Sequence, residues 1–199
     1  MAARQNKNTI RSLIDTRGNK LTEHTQISNE AINFFQHLIE TKDENVTSCL
    51  KELLSEILSE RTSNEAGQEL IRQVTPEEVN ASMFAIDRGK SPGPDGFTSH
   101  FFKVAWPVVN EDVVRAVLSF FQTGKLIPAF NLTTIALVPK CQNPNSIKDF
   151  RSISCCIVIY KCITKIIAAR LKKILPEIIS RNQSVFILGR SITDNISLA

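Results

Sequence analysis

The stretch GKSPGPDGFTS, residues 89–99, places two prolines, three glycines and one aspartate within eleven positions. Proline fixes its own φ angle, and glycine can adopt the positive φ that other residues avoid. The carboxylate of Asp95 can accept hydrogen bonds from nearby backbone amides. The stretch therefore predicts a rigid corner. Its centre is called the PGPDG loop and consists of Pro92, Gly93, Pro94, Asp95 and Gly96.

The same stretch contains a partial match to a phosphate-binding P-loop. Gly89, Lys90 and Ser91 match the end of that motif, but Phe84 stands where its first glycine is required. A P-loop also follows a strand, whereas the residues before this loop have a helical pattern. A P-loop is therefore not expected.

Local signals predict a helix on each side of the loop. Thr75 and Glu78 are typical of a capping box, with proline between them at the first helical position, and this helix is expected to end near Asp87. A second helix is predicted from Asn110 to Gln122, with Gly124 as its stop.

The next segments predict two strands and a long helix. TTIALVPK is rich in β-branched residues and ends in proline, which is typical of a strand. RSISCCIVIY begins as a strand and leads into a helix from about Ile159 to Leu175. Because helices and strands alternate without a regular order, the sequence predicts an α+β fold.

The first third of the chain has a helical and acidic pattern. ISNEAINFFQHLIE and CLKELLSEILSE each carry one apolar stripe, and RTSNEAG at residues 61–67 is expected to break the second helix. Residues 21–75 hold four basic and ten acidic residues. Residues 1–74 are therefore interpreted as a helical extension.

Positive charge is concentrated at the other end of the chain. Residues 140–199 hold ten basic and three acidic residues, a net charge of +7. A cationic region of this kind is the usual footprint of a phosphate-bearing partner, and a solvated face is the alternative.

The long helix divides into two faces at about 100° per residue. Lys161, Lys165 and Lys172 fall on one narrow stripe, opposite a face of isoleucines and leucines. Arg170 falls within the apolar face, where it must snorkel to solvent or find a carboxylate.

Composition excludes several classes of protein. The longest apolar run, residues 155–160, is far shorter than the roughly 20 residues of a membrane span, so no membrane partner is expected. The start MAARQNK has no signal-peptide core, so a nuclear or cytoplasmic location is expected and secretion is not. The five cysteines form no CxxC pair, and no metal site is expected.

Three segments in order carry a resemblance to a known family: KSPGPDGFTSHFFKVAW, TTIALVPK and DFRSISCCIVIYKCITKIIAARLKKILPEIISRNQSVFILGRSITDNI. They resemble the opening motifs of reverse transcriptases from non-LTR (LINE-type) retrotransposons, in the form common in plant genomes. The resemblance covers about residues 75–199, and the preceding IRSLIDTRGNKLTEHTQISNEAINFFQHLIE is similar to the segment before the polymerase. It implies an incomplete right-hand polymerase, with fingers and the start of the palm, after the helical extension.

The resemblance also implies site residues and partners. Lys140 and Arg151 would grip the incoming deoxynucleoside triphosphate, although strand-end cations are more often simple surface charges. The PGPDG loop would lie beside the template path. Residues along the RNA template and DNA primer would be Lys161, Lys165, Lys172, Gln183, Phe186, Gly189 and Arg190. For Phe186 the alternative is a place in a short core strand.

The chain departs from the family at two motif positions and lacks its catalytic carboxylates. Ser152 and Ile157 stand where proline and asparagine are usual, and no two aspartates are adjacent. We therefore expect no catalytic residue here, and the Mg²⁺ of the complete family enzyme has no ligand set. Three hypotheses follow: a truncated, inactive fragment, an active polymerase whose gene model ends early, and a non-enzymatic nucleic-acid-binding or interaction protein derived from it.

Overall fold

A computed structural model describes residues 9–42, 62–180, 183, 187, 189 and 190. The helix predicted in CLKELLSEILSE and the site residue Phe186 lie outside the described residues. The chain divides into two compact units. The first unit contains residues 1–48 and 134–155, and the second contains residues 49–133 and 156–199.

The first unit begins with a small hairpin that the sequence pattern did not predict. β1 (Leu13–Ile14) pairs antiparallel with β2 (Lys20–Leu21). The turn between them is organised by Asp15, whose Oδ1 accepts hydrogen bonds from the backbone amides of Arg17 and Asn19. These bonds lower the pKa of the Asp15 carboxyl, with the contacts to Asn19 contributing most.

One helix and a second hairpin complete the first unit. α1 (His24–Glu40) confirms the first predicted helix, and β3 (Thr133–Pro139) and β4 (Phe150–Cys156) confirm both predicted strands. β3 and β4 pair as an antiparallel hairpin, since Thr133 contacts Cys156 and the amide of Lys140 donates to the carbonyl of Asp149. The core of the unit contains Leu13, Ile27, Ile147 and Phe150.

The second unit is helical in its described part. Its elements are α2 (Asn64–Ile71), α3 (Pro76–Phe84), α4 (Ser99–Val104), α5 (Trp106–Thr123) and α6 (Val158–Ile178). α3, α5 and α6 supply most of a core that includes Val79, Met83, Val117, Cys162 and Ile166. Burial raises the pKa of the Cys162 thiol to about 12, so this cysteine acts as a small apolar side chain.

Several predicted helix boundaries need correction. Ser63 Oγ accepts from the amide of Ala66 and so begins α2, a helix that was not predicted, while the expected break of the helix in CLKELLSEILSE falls at residues that lie outside the described ones. α3 ends at Phe84, three residues before the predicted end. α4 was not predicted, and α5 starts at Trp106 instead of Asn110 because the following proline fits the first helical turn.

Other predicted boundaries are confirmed. Thr75 caps α3, with its Oγ1 accepting from the amide of Glu78 at 3.3 Å. Gly124 ends α5 in the left-handed conformation, with φ of 66°. Helices and two antiparallel hairpins are compatible with an α+β fold, while the right-hand polymerase architecture and the boundary at residue 74 stay predictions.

Arg170 of α6 finds the carboxylate that its place in the apolar face required. Its Nε and Nη2 donate to the two carboxylate oxygens of Glu78 on α3, at 2.9 and 2.7 Å. Its Nη1 donates to the carbonyls of Leu70 and Arg72 at the end of α2. Only 8% of Arg170 is exposed, so this one guanidinium joins three helices inside the second unit.

We expect the Arg170–Glu78 pair to make stability depend on pH. Hydrogen bonding from Arg170 holds the pKa of the Glu78 carboxyl below its ordinary value of 4.5. A lowered folded-state pKa gives stability that is complete above the unfolded pKa and is lost as pH falls through the folded one. Glu78→Gln should therefore cost about 3 kcal/mol of unfolding free energy at neutral pH, since it breaks a buried pair.

Urea unfolding between neutral and acid pH measures this effect. The difference between wild type and Glu78→Gln should shrink as pH falls, because protonation neutralises Glu78 in the wild type. Glu69→Gln is the matched control: Glu69 pairs with Arg72 and Lys173 at the surface, so its loss should cost less than about 1 kcal/mol. A constant difference between wild type and Glu78→Gln across this pH range would contradict the assignment.

Candidate nucleic-acid interface

The PGPDG loop is a closed turn. The amide of Gly96 donates to the carbonyl of Gly93 at 3.0 Å, with Pro94 and Asp95 at the two central positions. Asp95 Oδ1 accepts from the amide of Phe97 at 3.2 Å, and Gly96 has φ of 75°. Asp95 thus accepts a backbone amide and Gly96 adopts positive φ within the turn, while the rigidity of the corner stays a prediction.

Gly93 has a different role from the one that its sequence context indicated. Positive φ occurs at Gly96 and not at Gly93, so conformational freedom does not explain this glycine. A Cβ at Gly93 would lie 2.5 Å from the backbone nitrogen of Ile157 and 2.6 Å from its Cα. Ile157 is the residue before α6. Gly93 is therefore required because the loop packs directly on the backbone at the start of α6.

Three side chains fasten the loop and its flanks. Lys161 Nζ, on the first turn of α6, donates to the carbonyl of Ser91 at 2.6 Å. Ser99 Oγ donates to the carbonyl of Asp87 at 2.7 Å, and Lys103 Nζ donates to that of Phe84 at 2.8 Å. The residue before the PGPDG loop is thus attached to the first turn of α6. The segment that leads into the loop is attached to α4.

An aromatic pair beside the loop was missed by the sequence reasoning. Phe97 and Phe101 have ring centroids 4.7 Å apart with 31° between the ring planes, and both are more than 40% exposed. The available signal was the run of phenylalanines directly after the PGPDG loop. Exposed aromatic rings of this kind can stack on unpaired bases.

The β3–β4 hairpin places Lys140 and Arg151 at the same end of its two strands. The amide of Lys140 donates to the carbonyl of Asp149, and Arg151 follows Asp149 by two residues at the start of β4. Lys140 Nζ donates to the carbonyl of Lys148 at 2.7 Å. Arg151 is exposed, and its side chain makes no hydrogen bond or ion pair with the described residues.

The Asp149 carboxylate beside Lys140 is already occupied. Its Oδ2 accepts from the amides of Asn145 and Ser146 at 3.0 and 2.9 Å. These amide bonds lower the pKa of the carboxyl, with a smaller contribution from the charge of Lys140. Asp149 therefore shapes the connection between the strands rather than neutralising the two cations through a direct ion pair.

The predicted lysine stripe on α6 divides into two kinds of residue. Lys161 holds the carbonyl of Ser91, as described above. The side chains of Lys165 and Lys172 make no hydrogen bond or ion pair within the described part of the chain. Two of the three lysines thus keep their donors available for a ligand.

Arg190 caps the end of α6. Its Nη1 donates to the carbonyls of Ser180 and Gln183, and its Nη2 donates to those of Pro176 and Ile179, all at 2.6 to 2.9 Å. Gly189, with φ of 79°, makes the turn that directs the chain back. A contact of Gln183, Gly189 or Arg190 with template or primer stays a prediction, and for Arg190 it would compete with this cap.

Neither a metal-ligand cluster nor a membrane-spanning helix is found among the described residues. No group of three histidine, cysteine, aspartate or glutamate side chains there could hold a metal ion. No described helix combines the length and the apolar character that crossing a bilayer requires.

Comparison with known proteins relates the chain to a transposable element. No protein-family model matches it. It is 30% identical over 195 residues to the Transposon TX1 uncharacterized 149 kDa protein of Xenopus laevis. The alignment covers 97% of this chain and 14% of that protein, so the chain spans about a seventh of its relative. The relationship to a transposon protein that the motifs indicated is thereby confirmed.

We expect Gly93→Ala to destabilise the chain by about 1–3 kcal/mol, because its Cβ would overlap backbone atoms of Ile157 that cannot rotate away. Gly67→Ala is the control: a Cβ there meets nothing within 4 Å, and alanine in α2 should add up to about 1 kcal/mol. Urea unfolding of the full chain measures both. Equal stability of Gly93→Ala and wild type would show that the loop does not pack on Ile157.

Proposed function

We propose that this chain is a fingers-side stretch of a reverse transcriptase from a non-LTR retrotransposon, and that it contacts the RNA template and the incoming deoxynucleoside triphosphate. The similarity to a transposon protein over 97% of the chain supports the origin. The order of the PGPDG loop, the β3–β4 hairpin and α6 supports the polymerase assignment, as expected from the sequence motifs.

One observation carries the proposal: three cations at positions implied by the resemblance have side chains with no partner among the described residues, whereas the side chains of Lys140, Lys161 and Arg190 donate to backbone carbonyls. Arg151, Lys165 and Lys172 have no partner in the described chain. Arg170 and Lys161 are used within the second unit. Free cations on the surface, without carboxylates to neutralise them, are what a phosphate backbone or a triphosphate binds.

The proposed roles of the individual cations follow from the chemistry of their side chains. Arg151 offers a planar fork and Lys140 a point charge, a combination suited to the clustered oxygens of a triphosphate. Lys165 and Lys172 lie seven residues apart on one helical stripe and would contact separate phosphates of a single strand. The described residues offer no group that fits the Mg²⁺ of the complete family enzyme, so the proposed role is substrate contact alone.

We expect Lys165→Gln with Lys172→Gln to weaken binding of a single-stranded RNA and to make it less sensitive to salt. Each lost phosphate contact should lower the slope of log affinity against log salt by about 0.7, or about 1.4 for the pair. Fluorescence anisotropy of a labelled oligonucleotide over a salt series measures this slope.

Lys42→Gln with Lys125→Gln is the matched control for the α6 pair. Both lysines are exposed and lie outside α6, and their side chains lack partners in the described chain. The double substitution changes the net charge by the same amount as the α6 variant. The slope of log affinity against log salt for the control should differ from that of wild type by less than about half of the change expected for one phosphate contact. Equal losses in the two variants would mean that RNA responds to net charge and not to α6.

A nucleoside triphosphate tests the hairpin cations separately. We expect Arg151→Gln to weaken binding of deoxythymidine triphosphate about tenfold, the effect of losing one charge-assisted contact of about 1.4 kcal/mol. Lys148→Gln removes one charge from the same connection, where Lys148 is exposed, and should have little effect. Isothermal titration calorimetry measures both affinities, and an unchanged affinity for Arg151→Gln would remove the hairpin from the proposed site.

A further inference from the structure

The N-terminal strand of the first unit lies against the connection between β3 and β4. The amide of Ile14 in β1 donates to the carbonyl of Asn145 at 2.7 Å. This bond joins residues far apart in the sequence, and it draws the chain just before β1 alongside that connection. Arg11 thereby comes to line the same cavity as Lys140, although no local sequence signal linked the two residues.

Arg11 and Lys140 line one cavity of about 810 Å³. The remaining wall includes the amide side chains of Gln142, Asn143 and Asn145. No aspartate or glutamate is among the residues that line it. The nearby carboxylates of Asp15 and Asp149 are both occupied by backbone amides. The cavity is therefore cationic and rich in hydrogen-bond donors.

The two cations have donors to spare. Arg11 is exposed and makes no hydrogen bond or ion pair with the described residues. Lys140 Nζ carries three protons and donates to one carbonyl, that of Lys148. A guanidinium fork, an ammonium and three primary amides together match the several acceptor oxygens of a phosphate group.

We propose that Arg11 is a phosphate-binding residue that acts with Lys140 in this cavity. The volume falls within the usual range for small-ligand sites, so it has room for linked phosphates rather than one alone. The phosphates belong either to a nucleoside triphosphate or to a nucleic-acid backbone, which present the same chemistry. The assignment of Arg11 rests on the proposed function only through the shared residue Lys140.

Binding of two probes to the full chain tests the proposal: inorganic tripolyphosphate and a short single-stranded oligouridylate. We expect Arg11→Gln to weaken tripolyphosphate binding about tenfold, the loss of one charge-assisted contact. Arg17→Gln is the control, since Arg17 is an exposed arginine of the same unit that does not line the cavity. Urea unfolding should be unchanged in Arg11→Gln, because Arg11 has no partner in the described chain to lose.

Each outcome of these measurements supports or overturns the role of Arg11. Selective loss of tripolyphosphate binding in Arg11→Gln supports the cavity as a triphosphate site, and selective loss of oligouridylate binding supports it as a backbone site. Wild-type affinity for both probes, or equal losses in Arg11→Gln and Arg17→Gln, would overturn the role of Arg11. Those results would leave the hairpin role of Arg151 and the α6 lysines standing, since their variants are measured independently.

Discussion

The buried guanidinium of Arg170 is the constraint on which the second unit depends. An arginine cannot be buried unless its charge and its donors are matched, because desolvation of an unpaired ion costs several kcal/mol. Glu78 supplies the charge, and the carbonyls of Leu70 and Arg72 at the end of α2 accept from Nη1. Any packing of α6 that separated it from α3 would leave the buried Arg170 and the half-buried Glu78 unpaired. The register of α6 against α3 therefore fixes where its first turn lies.

That first turn receives the PGPDG loop. Ile157 lies directly before α6 and meets the backbone of Gly93, while Lys161 holds the carbonyl of Ser91. The loop is thus fixed by a helix whose own place is fixed by Arg170. The same helix carries Lys165, which is half-buried, and Lys172, which is exposed. Arg170 and Lys161 therefore hold the fold, whereas the side chains of Lys165 and Lys172 have no partner among the described residues.

Local chemistry explains which features could be predicted from the sequence. The cap at Thr75, the stop at Gly124 and both strands of the β3–β4 hairpin depend on neighbouring residues, and all are confirmed. Helical periodicity also indicated that Arg170 needs a carboxylate partner. It did not indicate that this partner is Glu78. The order of the motifs indicated a transposon relationship, which the comparison with the TX1 protein supports.

Contacts between distant segments could not be predicted in this way. Lys161 and Ser91 are 70 residues apart, so a lysine placed on the exposed stripe by periodicity turned out to anchor the loop. Gly93 was assigned to turn geometry because its neighbour Ile157 lies far along the chain. Arg190 was assigned to nucleic acid on its charge, whereas its guanidinium also caps α6. In each of these cases a contact with a residue distant in the sequence gives the residue a role that its local sequence did not indicate.

The central claim is that Arg170, Lys103 and Arg190 hold the fold through their side-chain hydrogen bonds, and that Lys165 and Lys172, whose side chains have no partner in the described chain, contact nucleic acid as proposed. Its most direct test is a glutamine scan over both groups, with unfolding free energy and RNA affinity measured for every variant. The account predicts two separate sets. Variants of Arg170, Lys103 and Arg190 should lose stability and keep their RNA affinity per folded molecule, whereas variants of Lys165 and Lys172 should lose RNA affinity at unchanged stability. A single continuous group, in which each variant loses both in proportion, would contradict the account.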